Sequence, residues 1–318
     1  MKKAITLILM SMLVVGMLSA CGAKSTSTKS SPSPAASSSG EIKITHPLGT
    51  ATVKKNPQKI AVFDYATLDT LNKLGIEVSA LPKATLPKYL SKYNDAKYTE
   101  AGTLFEPDFE KLNKLKPDVI FIGARTAAAY KELEKIAPTI QMSLDYTKYA
   151  DSFAANLNVI GQVFGKEKEV ASELKTINSS IADLKAKSGS SKTLIVLTTG
   201  GKTSAYGLGS RFSIIHDSYG FTPVDSKIEV SPHGQSISNE YIAEKNPDVL
   251  FVIDRDTVAG GAAGAAPAKT IIENDLVKKT NAYKNGRIVY LDANYWYLSG
   301  GGLQSDLEMV KEATQAIK

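Results

Sequence analysis

The chain has 318 residues, 43% of them hydrophobic, with a formal charge of +6 and a single cysteine. A chain of this size supports a substantial core and usually divides into two domains. One cysteine excludes an intramolecular disulfide and a cysteine-built zinc site, and a mild charge with no massed basic run and no recognised module speaks against a nucleic-acid partner.

In chain order, Lys2 and Lys3 precede an apolar run over residues 4–18 that ends in Leu18-Ser19-Ala20-Cys21. A permanent membrane helix needs about twenty apolar residues, so this run fits a cleaved export signal over 1–20. Removing the two lysines leaves a mature chain of milder charge. The Leu-Ser-Ala-Cys box resembles the bacterial lipoprotein signal, which implies that Cys21 is acylated and holds the chain on the outer face of the cell membrane. Residues 22–40, of Ser, Thr, Ala, Pro and Gly with two Lys, cannot build a core and make a flexible tether. The tether's length suggests a Gram-positive surface.

From residue 41 onward, short β-rich apolar runs alternate with amphipathic stretches. Residues 60–63, 119–122, 194–197, 249–253 and 288–291 have the composition of buried strands. Their alternation with helices predicts an α/β fold. Phe109-Glu110-Lys111-Leu112 followed by Pro117-Asp118-Val119-Ile120 recurs, at an offset of 130, as Asn239-Glu240-Tyr241-Ile242 followed by Pro247-Asp248-Val249-Leu250. In both copies Pro-Asp stops a helix and a strand follows. The repeat predicts two similar lobes, 41–164 and 189–318, each with a central β-sheet flanked by helices and with a ligand cleft between them. Val170, Leu174, Ile177, Ile181 and Leu184 recur every three or four residues, which predicts one long rigid helix over 165–188 joining the lobes.

Arginine usage is selective: among 38 basic residues only 125, 211, 255 and 287 are Arg. Arg125 and Arg255 are related by the same offset of 130 and lie just past the carboxyl ends of their strands, the edge where α/β sheets collect ligands. Arg211 falls in the glycine-rich turn Tyr206-Gly207-Leu208-Gly209-Ser210-Arg211. Guanidinium groups gathered in one cleft repel each other until an anion takes up their donors, so the predicted ligand is anionic and rich in oxygen. The alternative for each is a local carboxylate, such as Asp254 beside Arg255. Arg287 fits an ordinary turn residue.

Tyr65, Tyr130, Trp296 and Tyr297 follow strand ends or Arg125 and could pack on a flat organic ligand, or could close the core under a loop. Trp296, the only tryptophan, precedes Ser299-Gly300-Gly301-Gly302, where backbone can approach a ligand. His233 is a further candidate ligand contact, and His216 fits a structural helix residue. Three scattered histidines make no direct metal site. Glu110 and Glu240 open equivalent helices, where a carboxylate is favoured by the helix dipole and could also dock on arginines of a two-fold membrane partner. Nucleotide-loop, serine-hydrolase and zinc-protease motifs are missing, so the chain is expected to bind without chemistry and to need no cofactor.

Taken together, Phe63-Asp64-Tyr65, Gly207-Leu208-Gly209-Ser210-Arg211-Phe212 with Ile215-His216-Asp217, and Trp296-Tyr297-Leu298-Ser299-Gly300-Gly301 resemble the siderophore-binding lipoproteins of bacterial iron ABC importers, the cluster A-III solute-binding proteins. The resemblance covers nearly all of 41–318 and is strongest to the petrobactin-type catecholate-citrate binders of Bacillus-like bacteria. It implies that Arg125, Arg211 and Arg255 line the pocket, with the iron held by the siderophore. It also implies that Glu110 and Glu240 engage a permease dimer served by a cytoplasmic ATPase, and that the carrier acts as a monomer. A haem or cobalamin carrier on this scaffold and an extracellular α/β enzyme acting on a siderophore are the alternatives.

Overall fold

The structure, a computed structural model, describes residues 40–260 and 266–317. The expected signal, Cys21 and nearly all of the tether lie outside the described residues. Among the described residues, no helix is long and apolar enough to cross a membrane.

An antiparallel hairpin, Glu41–His46 with Gly49–Lys54, opens the fold. Behind it stands a five-stranded parallel sheet in the order Thr99–Glu100, Ala80–Leu81, Ile60–Phe63, Val119–Ile122 and Thr139–Gln141. The central strands are buried along their whole length because both faces are covered. Val62 and Phe121 point into one hydrophobic cluster, Ala61 and Ile120 into another on the opposite face.

The second sheet has six strands. Gln235–Ile237, Lys202–Tyr206, Lys192–Thr199, Val249–Asp254 and Ile288–Leu291 are neighbours in that order, and Thr222–Pro223 pairs with Lys192–Thr199. Lys192–Thr199, Val249–Asp254 and Ile288–Leu291 are parallel to one another, whereas Lys202–Tyr206 runs antiparallel beside its predecessor across the Gly200-Gly201 turn. Both glycines there have positive φ, which a tight hairpin demands. This sheet too has an apolar cluster on each face, Ile195 and Phe251 on one side, Leu194 and Leu250 on the other.

The 130-residue repeat has a structural counterpart in each lobe. Helices Phe109–Leu115 and Asn239–Lys245 each end on a left-handed residue, Lys116 and Asn246, whose N–H reaches back to Leu112 or Ile242. Asp118 then locks the strand behind it: its N–H donates to Lys59 O at 2.7 Å and its carboxylate accepts from Lys59 N at 2.8 Å. Asp248 does the same with Lys192, at 2.7 and 3.0 Å. Pro-Asp is thus both a stop for the helix and a clamp for the strand.

Between the sheets the chain runs through two helices, Tyr149–Phe164 and Glu167–Ser188, which turn on Gly165 at φ 63°. The second has 22 residues, roughly 33 Å at 1.5 Å per residue. Its Val170, Ile177 and Leu184 are buried in the cluster of the C-terminal lobe. The first shares the joining, because Tyr149, Phe153 and Leu157 belong to that same cluster while Ile160, Val163 and Phe164 belong to the N-terminal one. Helix Leu303–Thr314 closes the molecule, packing on Glu167–Ser188 and on helix Tyr65–Lys73 of the N-terminal lobe.

Candidate functional site

The turn Asn294–Leu298 leaves the last strand as a single π-helical turn and carries Tyr297 into the gap between the lobes. Three arginines surround that tyrosine. Their guanidinium carbons lie 5.4 Å (Arg125), 4.5 Å (Arg211) and 5.5 Å (Arg255) from the centre of its ring. Arg125 Nη2 and Arg211 Nη2 both donate to the Tyr297 carbonyl, at 3.0 and 2.9 Å. Arg255 Nε donates to the phenol oxygen at 2.9 Å, and its Nη1 donates to Thr199 Oγ1 at 3.0 Å. The turn after Val119–Ile122 positions Arg125, the glycine-rich turn after Lys202–Tyr206 positions Arg211, and the end of Val249–Asp254 positions Arg255.

The charge balance is strongly uneven. Among the described residues, the one ion pair these arginines make is Arg255 with Asp256 at 3.9 Å; Asp254 instead accepts from the N–H groups of Asp256 and Ala268. Burial holds the Arg211 guanidinium below its ordinary value, with Tyr146 opposing and Arg125 adding to the effect. Its Nε is buried without a hydrogen-bond partner among the described residues, a donor left over for an incoming acceptor. Burial alone would raise the Tyr297 phenol; the hydrogen bond from Arg255 and the charges of all three arginines outweigh it and hold the phenol below its usual range.

An interlobe cavity of about 170 Å³ adjoins the cluster, lined by Arg125, Met142 and Leu144 from one lobe and by Arg211, Trp296, Tyr297 and Met309 from the other. Ligand pockets run to roughly 300–1,000 Å³, so a large guest has to lie across its open mouth. Asp64 forms part of the wall. It caps helix Tyr65–Lys73 through Thr67 N at 2.9 Å, and burial raises its carboxyl against those hydrogen bonds and the Arg125 charge. Gly123 is fixed by the same carboxyl, because a Cβ there would stand 2.6 Å from Asp64 Oδ1.

The other aromatic candidates divide. Trp296 borders the cavity but is buried at 2% exposure and donates from Nε1 to Glu312 at 2.9 Å, so it is a wall and not an open platform. Tyr65 is a core residue at 1% exposure, its hydroxyl spent on Pro82 O at 3.1 Å. Tyr130 is buried against His46, ring to ring at 5.4 Å, and takes no part in the cavity wall. His233 is exposed on a turn and is likewise outside that wall. In each case the sequence offers an aromatic or imidazole near a strand end, and packing decides where the ring goes. His216 is structural, buried with Nδ1 2.9 Å from Phe221 O. Arg287 donates from Nε to Ala316 O at 2.7 Å, tying the last turn of the chain to the sheet.

Several residues beside the arginines carry no signal in the sequence. Phe105, at 65% exposure, sits on a loop fastened next to Arg125 by the Thr126 hydroxyl, which donates to Leu104 O at 2.6 Å. Leu208 and Val230 are exposed near the Arg211 turn, and Tyr146 is held there by Ser213, which donates to its carbonyl at 2.9 Å. The arginines are therefore flanked by exposed apolar side chains. Glu110 and Glu240 are exposed in the first turns of their equivalent helices, one in each lobe.

Two α/β lobes with a charged gap between them define a binding protein of the two-lobed kind. Residues 60–295 match the periplasmic binding protein family, and the chain belongs to it. The petrobactin-binding protein YclQ of Bacillus subtilis is 46% identical across 99% of both chains. Its crystal structure has a TM-score of 0.84 at 47% identity, covering 88% of this chain and 99% of that one. The ferric-anguibactin-binding protein FatB of Vibrio anguillarum is 31% identical, over 83% of this chain and 84% of that one. The periplasmic catecholate-siderophore binding protein VctP from Vibrio cholerae has a TM-score of 0.82 at 38% identity, covering 87% of this chain and all of that one.

Proposed function

We propose that this chain is the substrate-binding lipoprotein of an iron ABC importer, and that it captures an anionic ferric siderophore of the petrobactin-like, catecholate-citrate type. The observation that carries the proposal is the gathering of Arg125, Arg211 and Arg255 around Tyr297, with Arg255–Asp256 their one ion pair among the described residues. Deprotonated catecholate and citrate oxygens meet the free donors as charge-assisted hydrogen bonds. The exposed Phe105, Leu208 and Val230 give the organic part of the ligand apolar surface to lie on. The names of YclQ, VctP and FatB point the same way.

The test is titration of the purified protein with ferric petrobactin, a ferric hydroxamate, ferric citrate, haem and cobalamin, followed through the single Trp296. Ferric petrobactin should bind tightest, and Arg125→Ala and Arg255→Ala should each weaken it by about 2 kcal/mol or more. Preference for haem or cobalamin, or unchanged affinity in both variants, would refute the proposal. Mass spectrometry of the released ligand should return it intact, as expected of a carrier and not of an enzyme.

Delivery is proposed to run through Glu110 and Glu240 onto basic residues of a permease dimer served by its cytoplasmic ATPase, with the protein held as a monomer on the extracellular face of the cell membrane by a lipid on Cys21. Replacing both glutamates by Ala should leave ligand affinity unchanged and cut iron uptake by cells; wild-type uptake in the double variant would remove that role. Palmitate labelling that survives Cys21→Ala would remove the anchor.

A further inference from the structure

Two buried carboxylates sit at the seam between the lobes, outside the arginine cluster. Asp69, on helix Tyr65–Lys73 of the N-terminal lobe, is fully buried and caps a helix of the other lobe: it accepts from Gln304 N at 2.7 Å and Ser305 N at 2.9 Å. Its neighbour Thr70 accepts from Leu303 N at 3.2 Å. Asp306, in the first turn of that same 12-residue helix, accepts from Tyr149 OH at 2.8 Å and Gly301 N at 2.8 Å.

This network grips both ends of the turn that carries Tyr297. Tyr89 OH donates to Asp69 at 2.5 Å and lies 2.8 Å from Ser299 Oγ. Lys88 N donates to Asn294 Oδ1 at 3.0 Å, and Ser305 Oγ donates to Ser299 O at 2.5 Å. There is no room for slack, since a Cβ on Gly302 would come within 2.6 Å of Asp69 Cγ.

Among the described residues, no cation acts on the pair. The groups facing Asp69 are Tyr89, Tyr93, Tyr295 and Asp306; those facing Asp306 are Tyr149, Tyr219 and Asp69. Glu312 lies beyond Tyr219. The helix N-terminus and the hydrogen bonds favour the ionised forms. Removal from water outweighs them: burial pushes Asp69 up to about 6 and Asp306 up to about 7, the Asp69 charge adding to the latter.

We propose that Asp69 and Asp306 form a proton-linked joint, acting as positioning residues that hold the Tyr297 turn against the N-terminal lobe more firmly when protonated than when ionised. A carboxyl released into water returns to its ordinary value of 3.8. The packed joint therefore binds protons more readily than the opened one, and its closure weakens as pH rises from about 4 to about 7.

Hydrogen exchange over residues 299–306 of the full chain, corrected for the intrinsic rate, tests this without any ligand. Between pH 5 and pH 8 the opening equilibrium should rise at least about tenfold from Asp69 alone. Asp306→Asn should remove the larger share that Asp306 adds and leave about the tenfold rise of Asp69, and Asp69→Asn should remove its own share. A flat wild-type profile overturns the joint, as does an unchanged slope in Asp306→Asn; the wild-type measurement decides even if Asp69→Asn fails to fold.

Discussion

Arg211 shows how a binding site is maintained against stability. Its guanidinium is buried, repelled by Arg125 and short of one partner at Nε. A buried charge without a counterion costs more than its hydrogen bonds return. Arg211→Met is therefore expected to leave the thermal midpoint of the ligand-free protein unchanged or raised, while ferric-siderophore binding falls. A fall in both would mean that Arg211 serves the fold. The gathering of Arg125, Arg211 and Arg255 was legible in the sequence because the chain otherwise uses lysine and because Arg125 and Arg255 share the repeat, although Arg255 meets Tyr297 without joining the cavity wall. Tyr65 and Tyr130 were not, since an aromatic after a strand fills a core as readily as it meets a ligand. Phe105 and Val230 could not be picked out either, because exposure is decided by the folded neighbourhood and not by local residue types.

At the scale of elements, the repeat was the most readable feature, as helix stop, clamp and strand occupy consecutive positions. Its two copies differ usefully at the cap. Lys116, at φ 51°, is exposed and its side chain gains nothing from the left-handed conformation. Asn246, at φ 44°, uses its side chain to accept from Asn281 N at 2.8 Å. Lys116→Gly should stabilise the protein by roughly 0.5–1 kcal/mol, the relief of left-handed strain less the extra freedom of the unfolded glycine. Asn246→Gly should gain less or lose, and denaturant midpoints measure both; equal gains would show that the Asn281 contact contributes nothing. Two- and three-residue strands such as Ala80–Leu81 and Thr139–Gln141 left no periodic trace, being shorter than any window over which alternation can be counted. The joining helix was visible through its stripe, yet the share taken by Tyr149–Phe164 was hidden, since that helix splits its apolar residues between two cores.

Across the whole molecule, the seam between the lobes is dense with cross-lobe hydrogen bonds: Arg125 to Tyr297, Lys88 to Asn294, Tyr89 to Ser299, and Asp69 to Gln304 and Ser305. Such a seam opposes wide hinge motion. Solution scattering should give a radius of gyration that changes by less than about 1 Å on adding ferric siderophore, as for other preorganised partners. A change of several Å would mean that the seam opens in solution.

The Tyr297 carbonyl, shared by an arginine from each lobe, gives the scattering forecast a wider meaning. If the outline of the carrier hardly alters when cargo arrives, a transporter cannot sort full carriers from spent ones by silhouette. What does alter is the electric field over the mouth, positive beforehand and largely cancelled afterwards, so recognition of a loaded carrier has to be read from charge or from the exposed cargo itself.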